Sequence, residues 1–176
     1  MKTLYLLRHA KAERDAPSGE DFDRPLAPRG RGDASEMGLK MAAEGYFPDL
    51  ILTSPSARTI QTIEHLTATW SKRRAVQADK RLYLASAQRM IDLVRTFGHA
   101  AGSIMIVAHN PGLEELALQL SNRVPSDPFR RMQKKFPTCA LAVFQVSIDD
   151  WARFAPDLCR LSAFYTPRDL ADGSAA

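Results

Sequence analysis

Thr3-Leu4-Tyr5-Leu6-Leu7-Arg8-His9 decides how this chain reads. An apolar run this short is a strand buried on both faces, and it ends abruptly on two polar side chains. The same pattern returns at Leu50-Ile51-Leu52 and at Ile104 to Ala108, with a shorter stretch at Ala75 to Ala78. Helical periodicity fills the gaps. Ala34, Met37, Gly38, Met41 and Ala42 mark a helix that runs to about Glu44, ends at Gly45 and is followed by Pro48. Ser54-Pro55 reads as a second helix start, Ser as cap and Pro at the first helical position, with Ile60, Ile63, Leu66 and Trp70 inward. Ala87, Met90, Ile91, Val94 and Phe97 form a third helix, stopping at Gly98. Pro111 opens a fourth, with Leu113, Leu116, Ala117 and Leu120 on one face. Two more strands, Ala140 to Val146 and Arg160 to Thr166, form a hairpin-like pair around Asp149 to Asp157.

Strands alternating with helices predict a three-layer α/β sandwich with a mostly parallel central sheet. The last two strands have no crossover helix between them and place one antiparallel strand at an edge. Asp15 to Pro28, rich in Pro and Gly, reads as a long loop, and Asn122 to Pro137 as a polar, Pro-containing connection.

The chain has 176 residues, enough for one sizeable core, with 45% hydrophobic and 25% charged residues. We expect a single domain over residues 1–168 and a small, polar C-terminal tail over 169–176, frayed as such ends usually are. No apolar run approaches the roughly 20 residues that span a bilayer, and Leu4 to Leu7 is too short for a signal peptide. These features predict a cytoplasmic monomer without membrane contact. Cys139 and Cys159 read as buried thiols rather than a disulfide framework or zinc site. A net charge of +4 suits an anionic substrate but is too small to argue for nucleic acid. The basic clusters Lys72-Arg73-Arg74 and Arg130 to Lys135 read as solvated surface.

Open α/β sheets bind ligands beyond the carboxyl ends of their strands. Three segments put polar groups there: Arg8-His9 after the first strand, Thr53-Ser54-Pro55 leading to Arg58 in the first turn of a helix, and His109-Asn110-Pro111 after the fourth strand. Alone, each reads as an ordinary loop, helix-surface or cap residue. Together they bring two arginines and two histidines toward one spot beside helix N-termini, which favour anions. His65, far down a helix, and His99, after the Gly98 stop, read as surface residues. No segment fits a Gly-rich phosphate loop or dinucleotide fingerprint. No carboxylate stands at ligand spacing to the two histidines, and pocket arginines repel cations, so neither metal nor cofactor is expected.

Leu6-Leu7-Arg8-His9-Ala10, Thr53-Ser54-Pro55 with Arg58 and Thr62, and Val107-Ala108-His109-Asn110-Pro111 together resemble the histidine phosphatase superfamily. Asp23-Arg24-Pro25-Leu26 with Arg29-Gly30, and Lys135-Phe136-Pro137-Thr138, are similar to its small SixA-like branch, the phosphohistidine phosphatases. Ala10 stands where the superfamily usually has Gly. The resemblance covers nearly the whole chain and implies a phosphoglycerate-mutase-like fold with His9 as the nucleophile that is transiently phosphorylated. Arg8, Arg58, His109 and Asn110 would then bind phosphate, with His109 most useful as a cation. It implies a phosphoric monoester or phosphoramidate hydrolase that uses no metal.

Three readings follow. The first is a phosphatase acting on a phosphohistidine-bearing signalling protein. The second keeps the chemistry on a small phosphomonoester, and the third is a phosphate-binding module without turnover. The intact set of Arg8, His9, Arg58 and His109 argues against the third, because binding alone does not need His9. Larger relatives carry an acid for the leaving group directly after the second His or after the third strand. Here those positions read Asn110 and Arg81 to Ser86, leaving Glu13, Asp21 and Asp23 of the first loop as the carboxylates within possible reach.

Overall fold

A computed structural model describes residues 1–171. Six strands, β1 (Lys2–Arg8), β2 (Leu50–Thr53), β3 (Ala75–Ala78), β4 (Ser103–Ala108), β5 (Leu141–Val146) and β6 (Cys159–Tyr165), form one sheet in the order β3-β2-β4-β1-β5-β6. Pairing is parallel from β3 through β1 and antiparallel at β1–β5 and β5–β6. Antiparallel pairing is therefore confined to one side, as expected. The strand that opposes the rest is β5, one position in from the edge, while the edge strand β6 turns back to the common direction.

The pleat sorts side chains to two cores. Leu4 and Leu6 of β1 face a core built with α3 (Ala87–Phe97), α4 (Gly112–Leu120) and α5 (Asp127–Lys134), through Met90, Val94, Leu113, Leu116, Phe129 and Met132. Tyr5 and Leu7 face the opposite core, built with α1 (Pro28–Ala43) and α2 (Ala57–Thr67) through Met37, Met41, Ile63 and Leu66. The two faces and the sheet give the three layers. α1 and α2 approach closely at Gly38, where an added Cβ would fall 2.0 Å from the Leu66 carbonyl oxygen. Gly45, at φ +70°, ends α1 in the left-handed region that favours glycine.

Four expectations are corrected. α2 starts at Ala57, not at Ser54-Pro55, because the Ser54 N–H still bonds Val107 O of β4 and keeps the chain in the sheet for one more residue. The Asn122–Pro137 connection contains α5. Ser126 caps that helix by accepting from the Phe129 N–H, and only Phe129 and Met132 bury, so its apolar pattern is two residues long. Pro28, the expected last residue of the first loop, is the first residue of α1, and the loop itself holds a single turn of 3-10 helix at Asp21–Asp23. Asp169 to Ala171, expected in the frayed polar tail, belong instead to a sixth helix, α6 (Pro167–Ala171), held by Asp169, and the rest of that expectation, residues 172–176, lies outside the described residues.

Candidate active site

The carboxyl ends of β1, β2 and β4 open on a cavity of about 190 Å³, lined among others by Arg8, His9, Arg24, Arg58, His109 and Thr138. Arg8, His9, Arg58, His109 and Asn110, predicted from three distant segments, all line it. His65 and His99 do not, and His99 is exposed.

His9 leaves β1 with its backbone fixed on both sides. Its N–H donates to Ala108 O of β4, and the Cys139 N–H donates to both Arg8 O and His9 O. The next N–H, of Ala10, donates to Thr62 Oγ1 on α2, and Thr62 in turn donates to the Arg58 carbonyl. One hydroxyl therefore ties the His9 loop to the turn that carries Arg58. The His9 ring lies 2.7 Å from Ala10 O through Nδ1. A carbonyl only accepts, so Nδ1 carries the hydrogen and Nε2 is the lone-pair nitrogen of the neutral ring. Burial pushes the His9 pKa down to about 4. The Ala10 carbonyl opposes that shift, while Arg58, Arg8 and Arg24 add to it.

His109 is buried, its ring centroid 5.2 Å from that of His9, and neither of its ring nitrogens has a hydrogen-bond partner among the described residues. A neutral imidazole always keeps one N–H, so the cavity wall holds a buried donor without an acceptor. Burial, then the His9 ring and Arg58, push the His109 pKa down to about 3. Burial first, and the neighbouring arginines after it, thus favour neutral rings for both histidines in the protein itself, so a cationic His109, the form in which it would be most useful, has to come with a bound anion.

Arg58 is 3% exposed and is held by Asp21, with Nη1 donating to Asp21 O at 2.6 Å and Nη2 to Asp21 Oδ2 at 2.9 Å. Asp21 also accepts from the Tyr83 hydroxyl at 2.6 Å and from Arg24 at 2.7 Å. These donors, Tyr83 first, hold its carboxyl well below the usual carboxylate range. Asp21 is therefore a fixed anion that orients Arg58 and Arg24. It is poorly suited to giving up a proton near neutral pH. Asp23 bonds Ser18, and neither it nor Glu13 lines the cavity.

Asn110 lines the cavity, but its amide nitrogen donates to Glu114 Oε2 at 2.9 Å and to Phe136 O at 3.2 Å. Both side-chain amide hydrogens face protein acceptors, so Asn110 lines the cavity with its amide nitrogen already engaged. Arg8 Nη1 donates to the same Phe136 carbonyl at 2.9 Å, while its Nε is buried without a partner among the described residues. Burial lowers the Arg8 pKa and the Glu114 charge counters the shift.

The sequence reading missed Arg24, Thr138, Asp21 as the holder of Arg58, and Glu114. Arg24 and Thr138 stand in the two motifs that carry the likeness to the small branch, and the Asn110–Glu114 pair has an i,i+4 spacing across the start of α4, so these had a signal. The hold of Asp21 on Arg58 depends on a loop whose path sequence does not fix.

Among the described residues no group of three or more His, Cys, Asp or Glu is arranged to hold a metal, and no helix is long and apolar enough to cross a membrane. Lys72 and Arg73 are exposed, and so are Arg130, Arg131, Lys134 and Lys135, as expected of solvated clusters, whereas Arg74 departs from that expectation: it is half-buried, its guanidinium 5.0 Å from the centre of the Phe47 ring.

Fold and cavity define a class: an α/β protein whose strand ends gather arginines and histidines where a small anion fits. The family that matches residues 4–83 is described as the histidine phosphatase superfamily (branch 1). An uncharacterized protein of Mycobacterium tuberculosis is 33% identical over 165 residues, covering 92% of this chain and 100% of the relative. Two solved structures carry the name "putative phosphohistidine phosphatase SixA". The Agrobacterium tumefaciens structure is similar at 30% identity and TM-score 0.77, covering 94% of this chain and 98% of that one. The Nakamurella multipartitia structure is similar at 26% identity and TM-score 0.80, covering 94% and 96%. The chain belongs to the histidine phosphatase superfamily, and within it is SixA-like; members of this superfamily are phosphatases.

Proposed function

We propose that the protein is a protein phosphohistidine phosphatase that works through a phosphohistidine on His9. The observation that carries the reading is the absence of a carboxylate among the residues lining the cavity, while a neutral His9 with a free Nε2 stands beside two arginines. The names of the similar SixA structures support the same substrate class.

In the first step Nε2 of His9 attacks phosphorus, the Nε2–P bond forms, and the bond to the leaving group breaks. In the second, water attacks the phosphorylated His9, the Nε2–P bond breaks, and phosphate leaves with the neutral ring restored. Arg8 and Arg58 bind the equatorial oxygens, where charge spreads in the transition state. The buried His109 N–H donates to one of them. An alkoxide leaving group needs a proton in the transition state, worth typically about 10²- to 10⁴-fold. An imidazole leaving group takes its proton from solvent near neutral pH, so a P–N substrate does not need the acid this cavity lacks.

The test has two parts. Quenching a reaction with labelled substrate should leave acid-labile, base-stable phosphate on His9, and His9→Ala should abolish turnover while keeping part of the phosphate affinity. Across leaving groups of graded pKa, kcat/KM should fall steeply for phosphate esters and stay high for phosphohistidine protein. Good turnover of a sugar phosphate would overturn the substrate assignment and favour the small-phosphomonoester reading.

A further inference from the structure

Beside the cavity lies a residue whose backbone and side chain are both out of place for a structural role. Leu82-Tyr83-Leu84-Ala85 is a tight turn closed by the Ala85 N–H on Leu82 O. Tyr83, at φ −69° and ψ 115°, occupies the first central position of a type II turn, and Leu84, at φ +50°, the second. That second position calls for Gly or Asn, because a Cβ there meets the backbone. Leu84 nevertheless occupies it, is 56% exposed and lines the cavity. The residues on either side hold the turn in place. Leu82 is buried, and Ala85 abuts the start of α4 so closely that a Cβ on Gly112 would fall 1.9 Å from its carbonyl oxygen. Tyr83 is fixed by its bond to Asp21, its edge contact with His109 and its ring contact with Phe22.

The core therefore gains little from Leu84, and the turn would form more easily with a smaller residue. Backbone strain held in place by its surroundings clusters at functional sites, and here it presents an apolar side chain at the mouth of the cavity. We infer that Leu84 is a specificity-determining residue that receives an apolar side chain next to the phosphohistidine on a substrate protein. This inference rests on the protein-phosphatase reading above. A phosphoryl group presents the same three oxygens whatever its carrier, so discrimination between carriers has to come from contacts around it. Leu84 is the large, exposed apolar group among the cavity-lining residues.

The experiment compares Leu84→Asn and Leu84→Gly with the wild-type chain, using a phosphohistidine-bearing phosphotransfer domain and p-nitrophenyl phosphate as substrates. Val124→Asn is the control, since Val124 is equally exposed but lies in the α4–α5 connection and not at the cavity. Removing the strain should leave the thermal midpoint equal to or above that of the wild type. The ratio of kcat/KM for protein over aryl phosphate should fall about tenfold, on the scale of one buried contact at an interface, with the change in KM for the protein. Val124→Asn should keep the ratio. An unchanged ratio in the Leu84 variants overturns the inference and leaves the phosphatase reading standing. A lowered midpoint also overturns it, by showing that Leu84 serves the core, and so does an equal fall in the control. Wild-type failure on phosphohistidine protein, with good aryl phosphate turnover, overturns the phosphatase reading and this inference with it.

Discussion

His9 shows how one residue's chemistry depends on what surrounds it. The sequence places it after β1, but its protonation state comes from burial and from the nearby Arg58, Arg8 and Arg24. An NMR titration of the free protein should find both His9 and His109 neutral down to about pH 5, with inorganic phosphate raising both values. Titration of His9 near the ordinary 6.5 would contradict the electrostatics described here. The same shift has a consequence for stability. Between the folded value of about 4 and the unfolded value near 6.5, the unfolded chain binds more protons, so stability rises with pH across that window and is lost as pH falls through it. Asp21 makes a second residue-scale case. As a fixed anion holding Arg58, it should support every substrate alike. Asp21→Asn should therefore lower kcat/KM by a similar factor for good and poor leaving groups. A loss confined to poor leaving groups would show that Asp21 acts as an acid.

Among the elements, α6 was legible in the sequence and still missed. Thr166-Pro167-Arg168-Asp169 is a capping box with Pro at the first helical position: Asp169 Oδ2 accepts from the Thr166 N–H at 2.7 Å, and Thr166 Oγ1 accepts from the Asp169 N–H at 3.4 Å. The small, polar residues that follow made the segment look like a frayed end. The Asp169 carboxylate also pairs with Arg131 of α5, so it joins the last helix to the other face of the sheet. Asp169→Ala should cost about 1 kcal/mol and lower the midpoint by roughly 2–4 °C without altering kcat, as read by thermal melts and aryl phosphate assays. An unchanged midpoint would show that the box and the ion pair contribute nothing. α5 was missed for a different reason. Two buried residues, Phe129 and Met132, are too few to establish a period, and the helix becomes visible only where the sheet offers a surface to cover.

At the scale of the whole molecule, the cavity is a place where β1, β2 and β4 end side by side and aim cationic and titratable groups at one point. Such a field attracts a phosphoryl anion and repels a metal ion. Dialysis against a strong chelator should leave turnover unchanged. Loss of activity restored by Zn²⁺ or Mg²⁺ would overturn the mechanism. The sequence by itself determined the parallel core, its two buried faces, and the arrival of Arg8, His9, Arg58 and His109 at strand ends. Those features follow from short apolar runs and helical periodicity, which are local properties of the chain. Only the tertiary structure decided that β5 sits one strand in from the edge, that Asn110 turns its amide toward Glu114 and Phe136, that burial pushes the His109 pKa down, that Asp21 holds Arg58, and that Arg24 and Leu84 line the cavity. Each of these depends on which distant segments share a small volume, and on how burial and neighbouring charge act there, so no local pattern encodes it.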